Sequence, residues 1–142
     1  MYQYKATITR IIDGDTVDCD IDLGFKVILS KQRIRLYGMD TPESRTRDKV
    51  EKKYGLLAKK FLVEFIEAED YQITIETSKS GRGKFGRILG KLMNADGVCV
   101  NDLMCEVGHA VPYFGQSKED IAAAHIKNRE KVKKLSDGTL LR

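Results

Sequence analysis

Phe25-Lys26-Val27-Ile28-Leu29-Ser30-Lys31-Gln32-Arg33-Ile34-Arg35-Leu36 is an extended apolar run whose phase changes between Leu29 and Ile34. Phe25, Val27 and Leu29 occupy odd positions, whereas Ile34 and Leu36 occupy even ones. Side chains of a regular strand alternate between its faces, so one unbroken strand cannot put both sets into the same core. A bulge or sharp bend between them removes the conflict, and such a bend lets a sheet curl toward a barrel.

Immediately before this run, Val17, Cys19, Ile21 and Leu23 alternate with Asp18, Asp20 and Asp22, the pattern of a strand with one dry face. Asp13-Gly14 is a turn signal, and upstream of it Tyr2, Tyr4, Ala6, Ile8 and Ile12 give an earlier period-two strand in which Arg10 is the exception. These three strands form a meander. Arg45 to Lys53 is charged and poor in apolar residues, which predicts an exposed loop, and Tyr54, Leu57, Ala58, Phe61, Leu62, Phe65 and Ile66 then recur at helical spacing. Tyr71, Ile73 and Ile75 predict a fourth strand, and Ile88 to Met93 a fifth, closed by the turn Asn94-Ala95-Asp96-Gly97. Asn101 is a candidate cap for a short helix that runs to about Val107 and stops at Gly108. Ser117 with Asp120 resembles a capping box opening a last helix to about Leu135. Ile121, His125, Asn128, Val132 and Leu135 share one face of it, and its polar pair reads as hydrogen-bonded packing rather than a metal site. The expected fold is α+β and mainly barrel: five strands of the OB type with about three helices, in the order β-β-β-α-β-β-α-α.

The 142 residues suit one domain spanning 1–142, with a core of about residues 4–135 and a short tail at 136–142. Lys and Arg number 25 against 21 Asp and Glu, and a net charge of +4 permits an anionic partner without demanding one. Cys19, Cys99 and Cys105 cannot all pair and form no C-x-x-C, which argues against a disulfide framework and against zinc. The first residues lack a basic stretch followed by an apolar one, and no apolar run reaches membrane-spanning length, so the expectation is a cytoplasmic chain, or a secreted one if a signal has been removed; a monomer is expected separately, with the oligomeric state open.

The chemistry gathers at two places. Arg35-Leu36-Tyr37-Gly38-Met39-Asp40-Thr41-Pro42-Glu43 follows the bent strand, and Gly38 frees the backbone while Pro42 stiffens the corner that carries Asp40 and Glu43. Asp15 follows the first turn, and a curled meander brings that strand end toward Asp40. Asp15, Asp40 and a main-chain carbonyl near Thr41 would make an all-oxygen site suited to Ca²⁺ or Mg²⁺. The plainer alternative is a surface ion-pair network with Asp15 decorating a hairpin. The second place is Lys79 to Arg87. Its Gly81-x-Gly83-x-x-Gly86 matches the dinucleotide fingerprint formally, but a strand follows it rather than a helix, and the match is rejected. What remains is a basic loop that presents Lys84 and Arg87 beside Phe85, a combination for phosphate and base, with a solvated hairpin as the alternative.

Ile12-Asp13-Gly14-Asp15-Thr16-Val17, then Arg35 to Glu43 ending in D-T-P-E, then Lys84-Phe85-Gly86-Arg87 together resemble the staphylococcal nuclease family, from about Tyr4 to about Leu135. The resemblance implies an OB-fold and Ca²⁺-dependent hydrolysis of DNA, RNA or both with little sequence preference. By position it implies Asp15, Asp40 and the Thr41 carbonyl as metal ligands, Arg35 and Arg87 on the phosphate, and Glu43 on the attacking water. Phe85 stands where the family often has tyrosine, which removes a phenolic hydroxyl. Gly108 to Gly115 resembles the segment that brings aromatics to the nucleotide. Tyr113 is the stacking candidate there, with burial in the core as its alternative, and His109 reads as structural. The competing function is a non-catalytic OB module that binds single-stranded nucleic acid or a protein.

Overall fold

A computed structural model describes residues 2–82 and 88–136, so Lys84, Phe85 and Arg87 lie outside the described residues. Strands β1 (Tyr2–Asp13), β2 (Thr16–Gly24) and β3 (Val27–Leu36) form the expected antiparallel meander. Helix α1 (Lys49–Glu67) crosses to β5 (Gln72–Arg82) and β6 (Ile88–Met93), and the order β1-β2-β3-β6-β5 closes into a barrel because β5 also pairs with β1. Helices α2 (Val100–Val107) and α3 (Lys118–Ser136) follow. Two additional short strands, β4 (Met39–Asp40) and β7 (Val111–Pro112), pair beside the barrel, and no period-two pattern announces elements of two residues. The result is the α+β five-stranded OB barrel expected from the strand pattern. Among the described residues no helix is long and apolar enough to cross a membrane.

The phase change in β3 is a bulge. Cys19 pairs with Gln32 and Ile21 with Leu29, so β3 spends one residue more than β2 over the same interval. Lys31 adopts φ 55°, and its N–H donates to the Asp20 carboxylate at 2.9 Å. The Arg10 exception has the same cause, since the register of β1 on β2 slips between Ile8 and Arg10. Below the bulge the pattern reports burial correctly: Val17, Cys19, Ile21, Ile34 and Leu36 fill the core with Ala58, Leu62 and Ile66 of α1. Beyond it Leu23, Phe25, Val27, Ile28 and Leu29 are exposed, because the β2–β3 hairpin runs past the end of the barrel.

Three local expectations need correction. Helix α1 begins at Lys49, inside the segment read as a loop to Lys53, because Asp48 caps it by accepting from Val50 N–H and Glu51 N–H. Its first turns look apolar-poor since Lys49, Lys52 and Lys53 lie toward solvent. Tyr71 belongs to a turn with φ 64° rather than to β5, which starts at Gln72. Asn101 does not cap α2, whose N-cap is Cys99. Asn101 is instead buried: its Nδ2 donates to Tyr37 O at 2.9 Å and Gly90 O at 3.1 Å, and its Oδ1 accepts from Leu92 N–H at 3.2 Å. That staple sits where β3 and β6 close the barrel through the parallel pairs Ile34–Ile88, Arg35–Leu89 and Leu36–Gly90. The remaining signals behave as read, with Gly108 ending α2 at φ 94° and Ser117 Oγ accepting from Asp120 N–H at 3.2 Å.

Candidate active site

The strand ends converge on one open cleft of about 930 Å³, lined by Arg35, Asp40, Thr41, Glu43, Tyr113 and His125 among others. Asp15 does not line the cleft itself but adjoins Arg35, which does: the two-residue turn after Asp13 is tight, Gly14 N–H bonds Asp13 Oδ1, and Asp15 O accepts from Leu36 N–H at 2.8 Å, which fixes Asp15 next to Arg35. Asp40 arrives from the far side on β4, whose backbone is held by Val111 of β7. The Gly38 bend, at φ 78°, makes that return possible, since a left-handed residue here suits glycine.

Arg35 is only 18% exposed and lies between the two carboxylates. Its Nη1 is 3.4 Å from Asp15 Oδ2 and its Nη2 3.5 Å from Asp40 Oδ1, while its hydrogen bond goes to the Leu36 carbonyl at 3.0 Å. The other oxygen of each carboxylate is tied to the framework. Thr16 Oγ1 donates to Asp15 Oδ1 at 2.9 Å, and His125 Nε2 lies 2.8 Å from Asp40 Oδ2. Each aspartate therefore has one anchored oxygen and one facing the guanidinium. Sequence reading placed His125 on the packed face of α3 but did not connect it with Asp40, because the two are 85 residues apart. Asn128, the other polar residue of that face, donates to Ala110 O at 3.2 Å, as packing requires.

Glu43 reaches solvent at the cleft rim. Its carboxyl is nevertheless pushed above the ordinary carboxylate range, first by desolvation against the surrounding protein and then by the negative charges of Asp13, Asp15, Asp40 and Glu51. Its position is set by Gly55. A Cβ at Gly55 would lie 2.5 Å from the Glu43 carbonyl carbon and oxygen and 2.7 Å from Ser44 N, so α1 packs directly on the backbone that carries Glu43. Sequence reading passed over Gly55, although a glycine on the apolar side of a helix was the available signal. Gly55→Ala should destabilise the fold by about 1–3 kcal/mol through overpacking, although alanine favours a helix by roughly 1 kcal/mol. Urea unfolding of the variant checks this, and a gain in stability would mean that the contact yields.

Tyr113 is exposed on the cleft wall next to Phe114 and accompanies Gly38, whose carbonyl accepts from Tyr113 N–H at 2.8 Å. Its alternative, burial in the core, is not what the structure has. His109 is buried against Phe61 and its pKa is pushed down to about 4 by that burial, so the ring is neutral at physiological pH and structural in its surroundings. The three thiols are shielded: burial raises all of them, Cys19 to about 12 and Cys105 to about 11. The arrangement as a whole is an open cleft with one guanidinium held between two carboxylates and, at the rim, a separate carboxylate with raised proton affinity.

Residues 33–136 match the family described as Staphylococcal nuclease homologue. Endonuclease YhcR of Bacillus subtilis is 26% identical over 79% of this chain, which spans only 9% of that protein. An uncharacterized endonuclease of Escherichia coli is 29% identical over 75% of the chain and 59% of its own length. The thermonuclease of Staphylococcus intermedius is 29% identical over 63% of the chain and 48% of its own length. The chain thus spans well under two thirds of each of these relatives. A family match over most of the sequence, on a five-stranded barrel with Arg35, Asp40 and Glu43 at one cleft, places this chain in the staphylococcal nuclease homologue family.

Proposed function

We propose that this chain is a calcium-dependent, largely sequence-nonspecific endonuclease that hydrolyses phosphodiester bonds of DNA, RNA or both. One observation carries the reading: Asp15 and Asp40 each keep one oxygen anchored and turn the other toward Arg35. The residues fit a hard divalent cation. Asp15, Asp40 and Thr41 offer oxygen donors, and the Thr41 hydroxyl is buried without a partner among the described residues. Among those residues no group of three or more His, Cys, Asp or Glu side chains is gathered for a metal; Asp15, Asp40 and the Thr41 carbonyl would hold the cation, with water filling the remaining positions. Such a cation supplies positive charge against the phosphodiester and acidifies water.

The chain's own groups do the rest. Arg35 donates N–H bonds to non-bridging phosphate oxygens, where negative charge grows most as the phosphorus is attacked, and its planar fork stays protonated at any working pH. Arg87 takes the same role from the β5–β6 connection. Glu43 accepts the proton of the attacking water, and its raised proton affinity suits it to that task better than an ordinary carboxylate. Lys84 and Phe85 contact phosphate and base, and Tyr113 offers a ring for stacking from the exposed wall. The binding is backbone-directed, so it weakens with salt and reads little sequence.

Incubating the purified chain with plasmid and with RNA, with Ca²⁺ or excess chelator, tests this proposal. The expected result is cleavage of both polymers at many sites with Ca²⁺, none with chelator, and none by an Asp15→Ala, Asp40→Ala double variant. Undiminished cleavage in chelator would remove the cation. Intact plasmid alongside salt-sensitive binding would leave the non-catalytic OB module instead.

A further inference from the structure

Asp40 is held at three points, one from the neighbouring strand β3 and two from distant parts of the chain. Its backbone pairs with β7, its Oδ1 looks toward Arg35, and its Oδ2 meets His125 Nε2 at 2.8 Å. With Asp40 ionised the ring N–H is the donor in that bond. His125 is itself well placed to hold still: its side chain is 12% exposed, and α3 is pinned on its C-terminal side. One turn later Asn128 bonds the Ala110 carbonyl and the Arg129 guanidinium lies 5.4 Å over the Tyr54 ring of α1, and two turns later Val132 is buried. The last turns of α3 thus dock against the segment before β7, and β7 is the strand that holds Asp40.

We infer that His125 is a positioning residue that sets the orientation of Asp40, engaging Oδ2 so that Oδ1 alone is presented to the cation. The inference rests on the reading of Asp40 as a cation ligand. Asp15 supports it by being built the same way, with Thr16 Oγ1 on Oδ1 and Oδ2 turned to Arg35. A carboxylate free to rotate would lose that preset geometry and would spend ordering entropy on each binding event. Outer partners that orient ligands in this manner typically contribute about 10- to 100-fold in metal affinity. Thr16 adjoins Asp15 in sequence, whereas His125 belongs to the last helix, so α3 acts on the site without lying on the barrel.

Two substitutions separate donation from packing. His125→Phe keeps a ring and removes the donor, and His125→Gln keeps an N–H donor of similar reach and removes the ring. Calorimetric titration of the full chain with Ca²⁺ should show a roughly 10- to 100-fold weaker affinity for the Phe variant and an affinity near the parent's for the Gln variant. Turnover of the Phe variant should recover in excess Ca²⁺. Should the Phe variant fail to fold, His125→Asn, too short to reach Oδ2, takes its place with the same expected loss. Parent-like affinity in the Phe variant would overturn the inference, and so would an equal loss in both, which is the mark of simple packing. A parent chain that cleaves without binding Ca²⁺ is a different result: it would remove the cation reading and this inference with it.

Discussion

Glu43→Gln should lower single-turnover cleavage by about 10²- to 10⁴-fold, the range for removal of a general base, and should at the same time make the folded protein more stable in chelator. The first effect follows from the loss of proton acceptance with size and hydrogen-bonding reach nearly preserved. The second follows from the electrostatics of the cleft. Desolvation and the charges of Asp13, Asp15, Asp40 and Glu51 raise the Glu43 pKa in the folded state. A folded-state pKa above the unfolded one means that the ionised form is disfavoured by folding, so above both values its charge costs stability and a neutral amide does not. Stopped single-turnover assays at saturating Ca²⁺, paired with urea unfolding in chelator, read both quantities. A small kinetic loss would reduce Glu43 to orienting the water, and a lost Ca²⁺ site would overturn its assignment.

Arg35→Lys should cost roughly 10²- to 10³-fold in turnover, the usual consequence of losing a well-placed donor to transition-state charge. Charge is conserved by the swap and only geometry changes. Arg35 faces Asp15 and Asp40 with different nitrogens while donating to the Leu36 carbonyl, and one ammonium cannot meet all three. Sequence alone would class this as an exposed strand-end substitution with little effect on folding, but the side chain is mostly buried. The lost bond to Leu36 should therefore lower stability by about 1 kcal/mol. Near-normal turnover in the variant would make Arg35 a binding residue only, and affinity for an uncleavable oligonucleotide would distinguish the two roles.

Much of this was legible in the sequence because the signals were local. The alternation of Val17 to Leu23 is a consequence of strand geometry, and the conflict of phase within β3 demanded a bulge that the structure places at Ser30–Lys31. Arg35, Asp40 and Glu43 of the cleft, and Asp15 beside Arg35, were legible because each sits at a strand end or a stiffened corner. What stayed hidden depends on partners far along the chain. Leu23, Phe25 and Val27 looked like core because period two reports which face a residue takes, not how far the barrel extends under it. Asn101 looked like a cap because capping preference is local, whereas its three bonds go to Tyr37, Gly90 and Leu92. His125 looked like packing because nothing within α3 reveals Asp40. Gly55 was passed over because its reason lies in the backbone of Glu43 and Ser44.

The short parallel seam between β3 and β6 also sets the order in which this molecule comes apart. Three residue pairs and the Asn101 staple close the barrel there, against the long antiparallel ladders of the β1–β2–β3 meander. Segments with few shared backbone bonds open at lower free energy than the rest of a domain. Arg35 lies on one lip of that seam, and Arg87 directly precedes the strand forming the other in sequence. On the proposed reading of Arg35 and Arg87 as the phosphate's partners, a partly opened barrel would lose that two-sided grip while the meander still kept its amides from exchanging with solvent. Under the proposed function, catalytic competence would be a more fragile state than foldedness, and a rising urea concentration would extinguish cleavage before it released the slowest-exchanging amides of β1 and β2.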